Sequence, residues 1–237
     1  VRIRIRFQKL GKVRFTSHRD VARIWERALR RSGLPVAYSE GFNPRPRLSF
    51  GLALSTGHES IAEYLDVELD DDRAEAVDVI AVPEVLSAVL PDGIDATAAI
   101  EIDRRAPSLQ HAVTSCTWRI DASGVDVDTA AGAVARALAA DQIIVTRERK
   151  GKQVVDDVRP LVLGLDVDGP TEDGIRLIAE LGTQPRAVRP AELLGALDSA
   201  LVERRVLRLH QWTMNDDGER LEPVSEAQPS PAAQGVS

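Results

Sequence analysis

Thr16-Ser17-His18-Arg19-Asp20 places a hydroxyl, an imidazole and a carboxylate within five residues, the side-chain types of a nucleophile, its base and an orienting acid. Consecutive positions at a helix start point in different directions, whereas a nucleophile needs its base held within about 3 Å. Ser17 with Asp20 three residues on is therefore read as a helix cap. His18 is then a surface side chain, with phosphate ligand or general acid/base as its alternative roles. The chain has no Walker-type glycine loop, no G-x-G-x-x-G after a strand, and no C-x-x-C, H-E-x-x-H or G-x-S-x-G. A lone cysteine, Cys116, forms no internal disulfide and cannot supply an iron-sulfur cluster, and His18, His58, His111 and His210 are scattered. The expectation is a chain without cofactor or metal of its own; the sequence leaves the burial of Cys116 open.

Arginine is the more informative residue. Residues 1 to 50 carry 13 Arg or Lys against Asp20, Glu26 and Glu40, a balance of +10 in a chain whose net charge is -7, so the other 187 residues hold -17. A basic face on an acidic body attracts a polyanion at one place and repels it elsewhere. At 100° per residue Arg19, Arg23, Arg27, Arg30 and Arg31 gather opposite Val21, Ile24, Trp25, Ala28 and Leu29 on one helix that Gly33 ends. Guanidinium groups grip phosphate oxygens in bidentate fashion and stack on bases, so this row, flanked by Arg45, Arg47 and the outward Arg2, Arg4 and Arg6 of the first strand, has the chemistry of a nucleic-acid track. The opposing reading is a solvated helix face, part-neutralised by a Glu26–Arg30 pair, with the strand arginines paired to acids on neighbouring strands. Prolines and a glycine stiffen Glu40 to Arg47 around Phe42, a candidate for stacking on an unpaired base. A second basic cluster, Arg147, Arg149, Lys150, Lys152 and Arg159, surrounds a hairpin tip at Gly151, with Asp156 and Asp157 beside it.

The elements that must position these groups follow from periodicity. Val1 to Gln8 alternates Val, Ile and Phe with Arg and reads as a half-buried strand; Val13 to Phe15 is extended; the capped helix follows. Strands are expected at Leu48 to Leu54, Ile61 to Leu69 and Ile94 to Ile102, with a helical piece from Pro83 to Leu90. After a lapse at Pro107 come a strand from Thr114 to Ala122, a helix from Asp126 to Ala140, strands at Gln142 to Glu148, Val154 to Val167 and Ile175 to Leu181, a helix from Arg189 to Glu203 and a strand from Val206 to Met214. The expected class is α+β, with two ferredoxin-like (βαββαβ) domains, residues 1–108 and 112–214, each with an antiparallel sheet, and a disordered tail over 215–237. No apolar run long enough to span a membrane and no secretory pattern occur, so the expected location is cytoplasmic.

The run FTSHRDVARIWERALRRSGLPVAYSEGFNPRPRLSFG from Phe15 to Gly51 is similar to the signature of the radical-SAM-linked protein family, a bacterial domain family of unknown function. Gly57, Ser60, Glu63 and Tyr64 continue the resemblance, and the segment from Lys150-Gly151-Lys152 to Asp157-Val158-Arg159-Pro160-Leu161 resembles a later block, so it spans about residues 1 to 213. In that family the domain is fused behind a cobalamin-binding radical-SAM region or encoded beside one. The resemblance implies that this chain is the separate form, working with a radical-SAM partner that holds the cluster. The expectation is a non-catalytic RNA-binding or substrate-presenting subunit of an RNA-modifying enzyme, with docking of the partner without RNA contact as the alternative. A fold-level similarity to the CRISPR repeat-processing endoribonucleases adds a nuclease alternative with His18 as base, although their glycine-rich loop near the C-terminus has no counterpart here.

Overall fold

Alternation along β1 (Arg2–Lys9) sends Ile3, Ile5 and Phe7 into one core, where they meet Val21, Trp25 and Leu29 of α1 (His18–Arg31). The Phe7 and Trp25 rings sit edge to face at 4.9 Å. Burying each of these large apolar side chains stabilises the half by roughly 2 kcal/mol. Ser17 Oγ accepts the Asp20 N–H at 3.2 Å and donates to the Asp20 carboxylate at 2.7 Å. That hydroxyl, with burial opposing it and the charges of Arg23 and Arg19 adding to it, holds the Asp20 carboxyl below the usual range. The structure, a computed structural model, describes residues 1–215 and 217–224, leaving aside the Arg149 side chain.

The first half continues with β2 (Leu48–Phe50), β3 (Glu59–Glu68), α2 (Asp71–Ala74), α3 (Val82–Ser87) and β4 (Ile94–Ile102). α4 (Leu109–Ala112) leads to a second half of β5 (Val113–Ser123), α5 (Val127–Ala139), the hairpin β6 (Ile144–Arg149) and β7 (Lys152–Asp157), β8 (Val162–Thr171), β9 (Gly174–Gly182), α6 (Pro190–Leu197), β10 (Val202–Met214) and β11 (Arg220–Leu221). The class is α+β. In place of two separate sheets there is one nine-stranded sheet in the order β4-β1-β3-β10-β5-β9-β8, with β2 on β3 and β11 on β10. Its one parallel pairing among the described residues is β3 with β10, where the halves meet.

Several expectations are corrected. The arginines of β1 do not form an outward basic face: Arg4 and Arg6 are buried, Arg4 holds Asp66 at 2.7 Å, Arg2 reaches the same carboxylate and the Ala106 carbonyl, and Arg6 lies 3.4 Å from Glu222. Val13 to Phe15 belongs to a 3-10 turn, Gly11–Phe15. Gly11 at φ 69° reverses the chain, and the Lys9 ammonium donates to the Arg14 and Thr16 carbonyls at 3.1 Å each. The expected strand over 154–167 is two, split by the 3-10 turn Arg159–Leu161, because Pro160 has no N–H for a ladder. The final helix stops at Leu197, where Asp198 is extended and its carboxylate accepts the Ala200 N–H at 2.8 Å. Residues 217–224 are ordered: β11 pairs with β10, Glu222 bridges Arg6 and His210, and Val224 is buried. The rest of the expected tail, 225–237, lies outside the described residues, as does Asp216.

At the junction Glu59, fully buried, accepts from Arg205 Nε at 2.5 Å and Gly11 N–H at 2.7 Å, with Arg14 3.8 Å away. Burial alone would raise its carboxyl, but these donors and charges outweigh it and hold the group below its ordinary value. Its contribution to stability is therefore present above the ordinary carboxylate range and lost as pH falls through the folded-state value. Glu59→Gln is expected to be less stable than the parent at neutral pH, with the gap in urea midpoint closing as pH falls below about 4. Asp66→Ala leaves Arg2 and Arg4 part-buried without their carboxylate and should cost about 3–5 kcal/mol in urea unfolding at pH 7.

Candidate nucleic-acid interface

Because Val21, Trp25, Ala28 and Leu29 anchor α1 to the sheet, its opposite face is turned out, and Arg19, Arg23, Arg27, Arg30 and Arg31 are all exposed. From Arg19 to Arg31, twelve steps at 1.5 Å each, the row is about 18 Å long. Arg23 lies 3.3 Å from Asp20, but both side chains are more than half exposed, so this pair neutralises little. The Glu26–Arg30 pair anticipated from the i, i+4 spacing is not formed; Arg30 donates to the Pro44 carbonyl at 3.3 Å, tying the end of the row to the proline loop. Among the described residues no carboxylate pairs with Arg19, Arg27 or Arg31.

In that loop the stem is closed by a Tyr38–Pro46 bridge and by the Ser39 N–H on the Arg45 carbonyl at 2.9 Å. Gly41 at φ 119° makes the tip, where Phe42 is wholly exposed and Arg45 is open to solvent. Arg47, half exposed, pairs with Glu68 at 3.2 Å in a polar depression shared with Asp70, Asp71 and Asp72, so an acidic flank adjoins this end of the basic track.

The hairpin β6–β7 turns on Lys150 and Gly151, at φ 52° and 74°, the two left-handed positions of a tight turn that matches strand twist. Lys150 and Lys152 are exposed at its tip. Arg159 is engaged within the chain. Its guanidinium donates to the Leu138, Ala140 and Val162 carbonyls at 2.9, 3.2 and 3.3 Å, capping the end of α5. Arg147 holds Asp156 at 2.7 Å, Asp156 also holds Arg186 at 2.9 Å, and Arg186 holds Glu192 at 2.9 Å, so the hairpin is tied to α6.

Between the halves the sheet carries a cleft of about 750 Å³, which no local sequence pattern announced. Its walls are the loops 51–57 and 183–190, the hairpin overhangs it, and His18 stands at the start of α1 beside it. Its floor is built on Arg208, stacked 4.7 Å over the Trp118 ring and fixed by Glu63 at 2.8 Å, the Leu52 carbonyl at 3.2 Å and the Ala53 carbonyl at 2.9 Å. The one sequence signal for it is a charge within the apolar run Val206-Leu207-Arg208-Leu209. His18 is exposed, edge-on to Phe50 at 5.2 Å, and has no hydrogen-bond partner among the described residues, so nothing there prepares it as a base. Among the described residues no three His, Cys, Asp or Glu side chains converge as metal ligands, and no helix is long and apolar enough to cross a membrane.

Cys116 also borders the cleft but is buried, and that burial pushes its thiol up to about 11. At pH 8 the thiol is thus held protonated as well as out of solvent. The native chain should therefore resist iodoacetamide at pH 8 while the urea-unfolded chain is alkylated readily, a difference read by mass spectrometry.

A search of curated proteins finds no match. Among solved structures the chain is similar to one in "Crystal Structure of a Cbf5-Nop10-Gar1 Complex", at TM-score 0.47 and 9% identity, over 88% of this chain and 48% of that one, so it spans about half of that neighbour's length. A family model matches residues 2–207. On that match the chain belongs to the family described as "Uncharacterized protein conserved in bacteria (DUF2344)".

Proposed function

We propose that this chain is a cytoplasmic, non-catalytic RNA-binding unit that presents RNA to a radical-SAM enzyme. The observation that carries the reading is the row Arg19, Arg23, Arg27, Arg30 and Arg31, exposed and barely neutralised on a chain of net charge -7. The row starts at the cleft, where His18 stands, and ends where Arg30 grips the loop that carries Phe42 and Arg45. Lys150 and Lys152 extend positive charge beyond the far side of the cleft. We read the repeated strand order, β4-β1-β3-β2 and then β10-β5-β9-β8, as two ferredoxin-like units that share a sheet edge, with β6–β7 inserted in the second. The radical-SAM partner rests on the family resemblance of residues 15–64. A single thiol, buried at that, ligates no cluster, so the radical chemistry is assigned to the partner.

Binding of a labelled RNA should weaken linearly in log affinity against log salt, with a slope set by the phosphates neutralised. Replacing Arg23, Arg27 and Arg30 by Glu should lower affinity at least about a hundredfold while the chain still unfolds in one cooperative thermal transition. Equal affinity in the triple variant removes the proposal. The RNA should stay intact on prolonged incubation; cutting that His18→Ala abolishes would replace this reading with a nuclease, and competition between RNA and the purified partner for the row would reveal docking at the same face.

A further inference from the structure

The cleft between the halves lies at the end of the arginine row, and we infer that it receives one unpaired nucleotide, so that the RNA bound is single-stranded there, its base turned out of any stack. This deepens the RNA reading above and rests on it.

Three observations carry the inference. The first is continuity. His18 is the first residue of α1 and borders the cleft, and Arg19 opens the row, so a backbone that follows the guanidinium groups is delivered to its mouth. The second is size. About 750 Å³ lies within the range of pockets that take a small organic ligand. A base in a duplex is stacked and paired, and only an extruded or unpaired one can be offered to such a space. The third is the lining. Trp118 and Arg208, both buried, close the bottom of the cleft, and Arg208 is fixed before any ligand arrives by Glu63 and by two carbonyls of the 51–57 loop. At the rim Arg189 is exposed for a phosphate. Glu148, exposed on the overhanging hairpin and without a partner among the described residues, is an acceptor for the amino group of a base. Glu192, the other carboxylate of the lining, is already taken by Arg186 and by the Arg189 N–H at 2.9 Å.

The test compares a short single-stranded RNA with the blunt duplex of the same sequence by fluorescence anisotropy on the full chain. Ala53 is exposed on the cleft wall and uses only its carbonyl in the floor, so Ala53→Trp fills the cleft without touching the core. Its affinity for the single strand should fall about tenfold, the loss of one seated base, while duplex affinity stays unchanged. Arg189→Glu, which keeps the backbone N–H that Glu192 caps, is the second variant and should weaken the single strand likewise. In the parent chain, 4-thiouridine placed in the strand should crosslink to peptides spanning 51–57 or 183–190. Unchanged single-strand affinity in both variants, with crosslinks confined to α1 and the 40–47 loop, would overturn the cleft site and leave RNA binding standing. Failure of the parent to bind either RNA would remove both.

Discussion

The two halves are held in one sheet by a ladder only two residues long, Leu207 opposite Glu59 and Arg208 opposite Ser60. So short a parallel contact adds little by itself. What makes it binding is that β3 brings buried carboxylates whose cations come from the other half: Glu59 is held by Arg205 and Glu63 by Arg208, while the Gln211 side chain donates to the Ala62 carbonyl at 2.6 Å. His58, at the start of the same strand, meets Glu203 at 2.9 Å. A buried carboxylate stripped of its partner costs several kcal/mol, so the halves are stable only in the register that supplies every cation. Polar pairing fixes the alignment that apolar contact alone would leave loose.

That alignment also makes the cleft. Arg208 serves both sides at once: its guanidinium neutralises Glu63 of the first half, grips the 51–57 loop by two carbonyls, and lies over Trp118 of the second. Two groups of the chain's arginines stand apart in use. Arg2, Arg4, Arg6 and Arg208 are covered and hold the sheet together, each against an acid. Those on α1 are solvent-facing, and among the described residues only Arg23 of them pairs with a carboxylate, so open positive charge runs along that helix.

Much of the first half was legible because its signals are local. The Ser17–Asp20 cap, the apolar face of α1 and the strand Ile94–Ile102 each rest on residues within a few turns of one another. Alternation in β1 was read rightly as a strand and wrongly as half-exposed. A period of two reports which way side chains point, not what later lies over them, and here residues 104–106 and Glu222 cover the basic face. The segment 217–224 has no apolar period because it contributes single side chains, Glu222 and Val224, to a surface built by others. The cleft draws on residues 18, 53, 118, 147, 189 and 208, which no window of sequence contains together.

The row itself argues for use. Arg19, Arg23, Arg27 and Arg31 stand four residues apart, so each faces the next on adjacent turns, and each like-charged pair of this kind destabilises a helix by about 0.2–0.5 kcal/mol. Arg30 and Arg31 are favoured by the negative end of the helix dipole, but Arg19 sits in the first turn, where the dipole opposes a cation. A surface selected only for solubility would relieve this with acids, which the chain has in surplus, 37 against 30 basic residues. The helix itself carries only Asp20 and Glu26, while Glu59, Glu63 and Asp66 are placed inside the sheet and Asp70 to Asp72 beside Arg47. On the proposed RNA reading, phosphates laid along this thinly compensated row would release their counterions, and that release would supply the affinity.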